Sequence, residues 1–140
     1  MSVRRLRCRV SGQGLHEITK LVESRALEAA REAGVSEGLC TLYIRHTSAS
    51  LTIQENADPA VCRDLEGWLN RLVPEDDSLY THTEEGSDDM PAHIKSALTA
   101  VSLSIPLLDG RLALGTWQGV FLWEHRHARG DREILIHVGS

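Results

Sequence analysis

Residues 84–95, Glu84-Glu85-Gly86-Ser87-Asp88-Asp89-Met90-Pro91-Ala92-His93-Ile94-Lys95, concentrate four carboxylates, a flexible glycine and a proline-started helix in one short run. His82 lies just ahead of this run, and His93 falls on the first turn of the predicted helix. Acid–base catalysis, metal ligation and phosphate binding all require such groups close together. The first turn of a helix also offers unpaired amide N–H groups and a partial positive charge, which attract anions. Asp88 or Asp89 can cap those amides, and either can equally hold a metal ion or the hydroxyls of a substrate. A helix with acidic capping and a solvated histidine accounts for the same residues.

Three further segments have chemical potential. Arg45-His46-Thr47-Ser48-Ala49-Ser50 sets a histidine beside hydroxyls that can donate to phosphate oxygens; a polar strand end would read the same way. In Gly115-Thr116-Trp117-Gln118-Gly119 the glycines permit close backbone approach, and Gln118 can both donate and accept; the bland alternative is a bulge or turn with a packed tryptophan. Glu124-His125-Arg126-His127, with Arg129 and Arg132, offers a carboxylate, imidazoles and guanidinium groups that could hold a diphosphate or a metal, or could form an exposed charged hairpin. His46, His82 and His93 are the candidate metal histidines, with Asp88 as the candidate carboxylate. They come from separate segments, and no HExxH-type spacing unites them. No glycine-flanked serine elbow is present.

These residues need elements to position them. The 140-residue length suits one domain over residues 1–140, and a hydrophobic fraction of 41% allows a real core. Residues 5–10 alternate arginine with Leu6, Cys8 and Val10, the pattern of a half-buried strand; Ser11-Gly12-Gln13-Gly14 reads as a turn. Ile18, Leu21, Val22, Ala26, Ala29, Ala30 and Ala33 recur at helical spacing and predict a helix over 19–33, stopped by Gly34. Residues 39–53 read as one long strand or two joined ones, with Leu42, Ile44, His46 and Ser48 on one face. Asp58-Pro59 starts a second helix whose apolar stripe is Val61, Leu65, Trp68, Leu69 and Leu72. A polar loop over 74–89 is long for a compact domain. A third helix begins near Pro91, with Ile94, Ala97, Leu98 and Val101 as its buried stripe. Strands follow around 103–107, 112–114, 120–124 and 134–138, the first two joined by a turn at Asp109-Gly110 and the last two by a polar loop around Gly130-Asp131. The order predicts an α+β fold with a largely antiparallel sheet and about three helices.

Composition limits the function classes. A formal net charge of -5 with no basic stripe or aromatic platform argues against nucleic-acid binding. No apolar run is long enough for a bilayer, and no apolar signal core follows the basic start, so a cytoplasmic protein without membrane attachment is expected. Cys8, Cys40 and Cys62, far apart and odd in number, read as reduced thiols, Cys8 and Cys40 as buried small hydrophobes.

Taken in order, His46-Thr47-Ser48-Ala49-Ser50-Leu51, Glu55-Asn56-Ala57-Asp58-Pro59, residues 85–95, Gly115-Thr116-Trp117-Gln118-Gly119 and Glu124-His125-Arg126 resemble the YjbQ-like family, also described as the secondary thiamine-phosphate synthase family. The motifs span most of the chain from Leu39 onward; Gln54 stands where Asn is often expected. The resemblance implies a mixed, largely antiparallel β-sandwich assembled as a homotrimer, with sites near subunit boundaries. It also implies a weak or secondary thiamine-phosphate synthase activity, joining a pyrimidine diphosphate to a thiazole phosphate and releasing diphosphate. The combined expectation is a metal-assisted enzyme acting on a small phosphorylated metabolite. His46, His93 and Glu124 would be catalytic, Thr47, Ser48, Gln118, Arg126 and Arg132 would hold phosphate, and His46, His82, His93 and Asp88 would hold a divalent metal, Zn or Mg. The alternative is a non-catalytic trimer that binds an anion or a metal.

Overall fold

The computed structural model describes residues 3–140. Eight strands and three helices follow in the order β1 (Arg4–Val10), β2 (Gly14–Glu17), α1 (Thr19–Ala33), β3 (Gly38–Ile44), β4 (Ala49–Glu55), α2 (Pro59–Leu72), α3 (Asp89–Leu98), β5 (Ser102–Leu108), β6 (Arg111–Leu112), β7 (Gln118–Glu124) and β8 (Gly130–Gly139). They form two sheets, β1-β8-β3-β5-β6 and β2-β7-β4, in which every strand pairing is antiparallel. The expected α+β class with three helices is what the chain adopts. Among the described residues, no helix is long and apolar enough to cross a membrane.

One apolar core joins the two sheets. Leu42 and Ile44 from β3, Leu51 from β4, Leu122 from β7 and Ile134 and Ile136 from β8 are almost fully buried in it, together with Val22, Ala26 and Ala30 of α1. The small residues of α1 let the helix lie close over the strands. Its end is made by Gly34 in the left-handed conformation, which returns its amide to Ala30 and Arg31. The β5–β6 turn places both Asp109 (φ 52°) and Gly110 (φ 74°) in the left-handed region, the conformation that tight hairpins demand.

Residues 39–53, expected as one long strand or two joined ones, form two strands, and these lie in different sheets. The chain leaves the five-stranded sheet after Ile44 and joins the three-stranded one at Ala49. His46 and Ser48 therefore sit in a crossover and do not extend the Leu42–Ile44 face. The predicted turn over 11–14 is shorter, because Gly14 already opens β2, pinned to α2 where Glu66 Oε2 accepts the Leu15 amide at 2.6 Å. Likewise Gly130 and Asp131, expected in a loop, pair in register with Val10 and Arg9 of β1.

The helical stripes also differ from expectation. Asp58 caps α2 as predicted, accepting from the Ala60 amide at 2.9 Å, yet Trp68 and Leu72 are half-exposed and only Leu69 is fully buried. In α3, Leu98 is exposed and Val101 lies beyond the helix, while the buried positions are Asp89, Pro91, Ala92 and Lys95. The helix turns a partly polar face inward, because that face packs on the polar end of the small sheet rather than on the main core.

Leu122 is fully buried where α1 and both sheets meet. Leu122→Ala is expected to lower the free energy of unfolding by about 2–5 kcal/mol in chemical denaturation, from lost transfer energy plus the cavity left behind.

Candidate metal centre and adjoining pocket

The chemistry-bearing run folds around one carboxylate. Helix α3 starts at Asp89, two residues ahead of Pro91, which puts Asp89 and His93 four residues apart on one face. His82 arrives from the irregular segment between α2 and α3. Its Nε2 lies 2.6 Å from Asp89 Oδ2, and His93 Nε2 lies 3.2 Å from the same oxygen. The two imidazoles meet edge to face at 5.4 Å between ring centres. Ligand atoms of His82, Asp89 and His93 all fall within 4.8 Å of one another.

The donor set fits a transition metal. Tetrahedral zinc with bonds of ~2.0–2.1 Å separates its donor atoms by ~3.3 Å. The His93–Asp89 pair, at 3.2 Å, already has that spacing, and the His82–Asp89 pair, at 2.6 Å, is closer than it by less than an ångström. Two imidazoles and a carboxylate leave a fourth position open, the form of catalytic rather than structural zinc sites. Burial acts to raise the Asp89 carboxyl, but its hydrogen bonds with His82 and Glu85 and the charges of His93 and Arg126 outweigh that and hold it below the ordinary range.

Asp88, the carboxylate expected among the ligands, turns the other way. Its Oδ2 accepts the His127 amide at 2.9 Å and its Oδ1 lies 3.2 Å from Arg126 Nη2. Burial works against ionisation there too, and those two partners overcome it. Gly86, at φ 113°, makes the turn before the helix possible: a side chain there would be strained and would press on Asp88 at 3.2 Å.

His46 is not gathered into the centre. Its Nε2 accepts the Glu133 amide at 3.0 Å, which leaves Nδ1–H as its free group, a donor rather than a metal ligand. Burial and the Arg132 charge lower its pKa against the opposing pull of Glu124 and Glu133, so the ring is neutral near pH 7. His46 nevertheless shares a cavity of about 920 Å³ with His93, Thr47, Ser48, Ser96 and Thr99. Among the described residues, Arg45 is the one guanidinium or ammonium side chain on its wall, and it is bound to Glu133 at 2.7 Å.

Other expected site residues are occupied or distant. Glu124 is fully buried, with Oε1 2.6 Å from Arg132 Nε and Oε2 accepting the Arg126 amide at 3.1 Å. Gln118 sits at the opposite end of β7 from Glu124, roughly 20 Å away along the strand, where its Oε1 accepts the Gly115 amide at 2.7 Å. Within this chain the two do not share a site.

Sequence reasoning missed the buried polar network beneath the centre. Lys95, almost fully buried, donates to Asn70 Oδ1 at 2.5 Å, and Gln13 links Asn70 Nδ2 to the His125 carbonyl. His125 Nε2 lies 2.8 Å from Ser50 Oγ, while its buried Nδ1 has no protein partner. Helical spacing puts Lys95 on a different face from His93, and only packing shows how deep it lies. For the His82–Asp89–His93 cluster a signal did exist, the Asp89–His93 spacing of four residues, which a helix start at Pro91 hides.

Burial, reinforced by the Lys95 charge, depresses His125 to about 3. The unfolded chain takes up this proton as pH falls below ~6.5, while the folded chain does not until about 3. Stability is therefore complete above pH ~6.5 and declines as pH falls toward 3, by up to a few kcal/mol. His46 adds to the same slope. Replacing His125 with Gln is expected to flatten, without abolishing, the pH dependence of unfolding between pH ~6.5 and ~4.5, above the main carboxylate titrations; an unchanged slope would contradict this.

A family model described as UPF0047 protein YjbQ-like matches residues 5–140. A UPF0047 protein of Synechocystis is 54% identical over 129 residues, covering 92% of this chain and 85% of the relative. The UPF0047 protein YjbQ of Escherichia coli O157:H7 is 45% identical over 123 residues, covering 88% and 86%. The crystal structure of a conserved hypothetical protein from Thermus thermophilus superposes with a TM-score of 0.84 at 38% identity, covering 97% of this chain and 99% of that one. These matches establish the family and the fold and leave the activity to be argued from the site.

Proposed function

The chain belongs to the YjbQ-like UPF0047 family, and we propose that it uses His82, Asp89 and His93 to hold a divalent metal ion for chemistry on a small phosphorylated metabolite bound in the adjoining pocket. The observation that supports this most directly is the convergence of two imidazoles on one oxygen of a buried carboxylate, with His93 also on the pocket wall. Imidazole donors suit zinc or another first-row transition ion better than magnesium, which favours oxygen ligands.

The pocket wall favours an anion that brings its charge to the metal. It presents the hydroxyls of Thr47, Ser48 and Ser96, with the free Nδ1–H of His46, while the Thr99 hydroxyl donates to the Lys95 carbonyl at 2.7 Å and the Arg45 guanidinium is already paired. A phosphate entering there would find hydrogen-bond donors but no uncommitted side-chain cation, so the metal would supply the countercharge. A bound divalent ion would polarise a phosphoryl oxygen and stabilise a departing phosphate or diphosphate. Among the phosphorylated substrates in this class are those of the diphosphate-releasing transfer between a pyrimidine diphosphate and a thiazole phosphate. The commitment of Glu124 to Arg132 and of Asp88 to Arg126 favours a second reading, a binding protein that holds metal and anion without turnover.

Calorimetric titration with zinc is expected to show one site per chain. His93→Ala and Asp89→Asn are each expected to weaken it by at least the ~10–100-fold typical of losing even an outer partner. Diphosphate release by the zinc-loaded protein from the pyrimidine and thiazole substrates, lost in His93→Ala, would establish the transfer. Phosphate binding without turnover would favour the second reading, and zinc binding unaffected by both substitutions would sink the metal assignment.

A further inference from the structure

The three metal-binding side chains come from two pieces of chain that are not joined by regular structure. His82 belongs to the segment between α2 and α3, whereas Asp89 and His93 belong to α3. Both pieces meet Arg126, just beyond the end of β7. Its Nη2 donates to the Glu85 carbonyl at 2.7 Å and lies 3.2 Å from Asp88 Oδ1, and its Nη1 lies 3.3 Å from Asp89 Oδ1. The Arg126 backbone is fixed in turn, because its amide donates to Glu124 Oε2 and the other Glu124 oxygen is bound by Arg132.

The two oxygens of Asp89 thus face different partners. Oδ2 faces His82 and His93, and Oδ1 faces Arg126. A carboxylate held by one oxygen presents the other to a metal as a single donor in a defined direction, the outer-shell role that commonly decides ligand geometry. We propose that Arg126 is the positioning residue of this centre: it holds Asp89 to one-oxygen ligation and keeps the His82 segment in register with α3. The inference rests on the metal reading above and gives Arg126 a role other than phosphate capture. Its planar fork spans a carbonyl and two carboxylates at once, which a lysine ammonium at the end of a flexible stem would not match.

Two opposing effects make the test decisive. Removing the guanidinium charge would by itself strengthen attraction for a cation, whereas losing the orientation would weaken ligation. Cobalt(II) titration, followed by calorimetry and by visible absorption, should be run on the wild-type chain, R126Q and R126K, with circular dichroism of each metal-free protein as a check of fold. The expected result is one cobalt per wild-type chain, ~10–100-fold weaker binding in R126Q with an altered cobalt band, and R126K still at least about 10-fold weaker than wild type despite its charge. R126Q binding cobalt as tightly as wild type or tighter, with the same band, would overturn the inference and leave the metal centre standing. Absence of cobalt binding by the wild type would overturn both. Should R126Q not fold, R126K decides by the same criteria: full recovery of affinity and spectrum overturns the positioning role.

Discussion

Burying an ionised carboxylate requires partners, and Asp89 shapes its surroundings through that requirement. A carboxylate this deeply placed is strongly destabilising unless its lone pairs are met by donors or cations. Its donors are drawn from places far apart in sequence: His82 before the helix, His93 one turn along it, and Arg126 from beyond the strand that carries the small sheet. Meeting that demand joins helix, loop and sheet at one point. The irregular segment ahead of α3 starts on buried Val73, packed with Leu69 and Trp123, and its far end is anchored at Asp89, where Asp88, bound to Arg126 and the His127 amide, completes the joint.

Below this point the packing leaves a polar interior. Lys95 turns inward from α3, where Asn70 of α2 accepts from it, and Gln13 continues the chain of bonds to His125 and Ser50. Such a network stabilises through its satisfied members, here all but the buried Nδ1 of His125, and it confers directionality that an apolar contact lacks. It seats α2 and α3 over the end of the small sheet, while the main core joins both sheets under α1. Apolar packing thereby carries the sandwich, and polar contacts carry the His82–Asp89–His93 cluster.

The pocket beside the centre follows from the crossover between the sheets. The chain leaves one sheet at Ile44 and enters the other at Ala49, held at the two ends of the crossover where the Arg45 amide donates to the Glu133 carbonyl and the Ser48 carbonyl accepts from the His125 amide, each at 3.1 Å; His46, Thr47 and Ser48 line the space that opens toward His93. The Glu133 amide fixes the orientation of His46 by occupying one ring nitrogen. The resulting wall is rich in hydroxyls and poor in uncommitted positive charge.

The class of fold, the three helices, the Asp58 cap and the Asp109-Gly110 turn were legible in the sequence, because each depends on contacts within a few residues: period, capping and turn geometry are local. The run from His82 to His93 was likewise recognisable as chemically dense. Which carboxylate faces the histidines was decided elsewhere. Asp88 and Asp89 are adjacent and chemically identical, and only the position of Arg126 and the His127 amide, nearly forty residues away, turns one outward and leaves the other between the imidazoles. The same holds for His46 and Gln118, whose motifs look equivalent along the chain until the sheet register sets one beside the centre's pocket and the other at the far end of β7. Residue types and local spacing supplied the reagents, but distance between groups is a property of packing, and packing selected which of them meet.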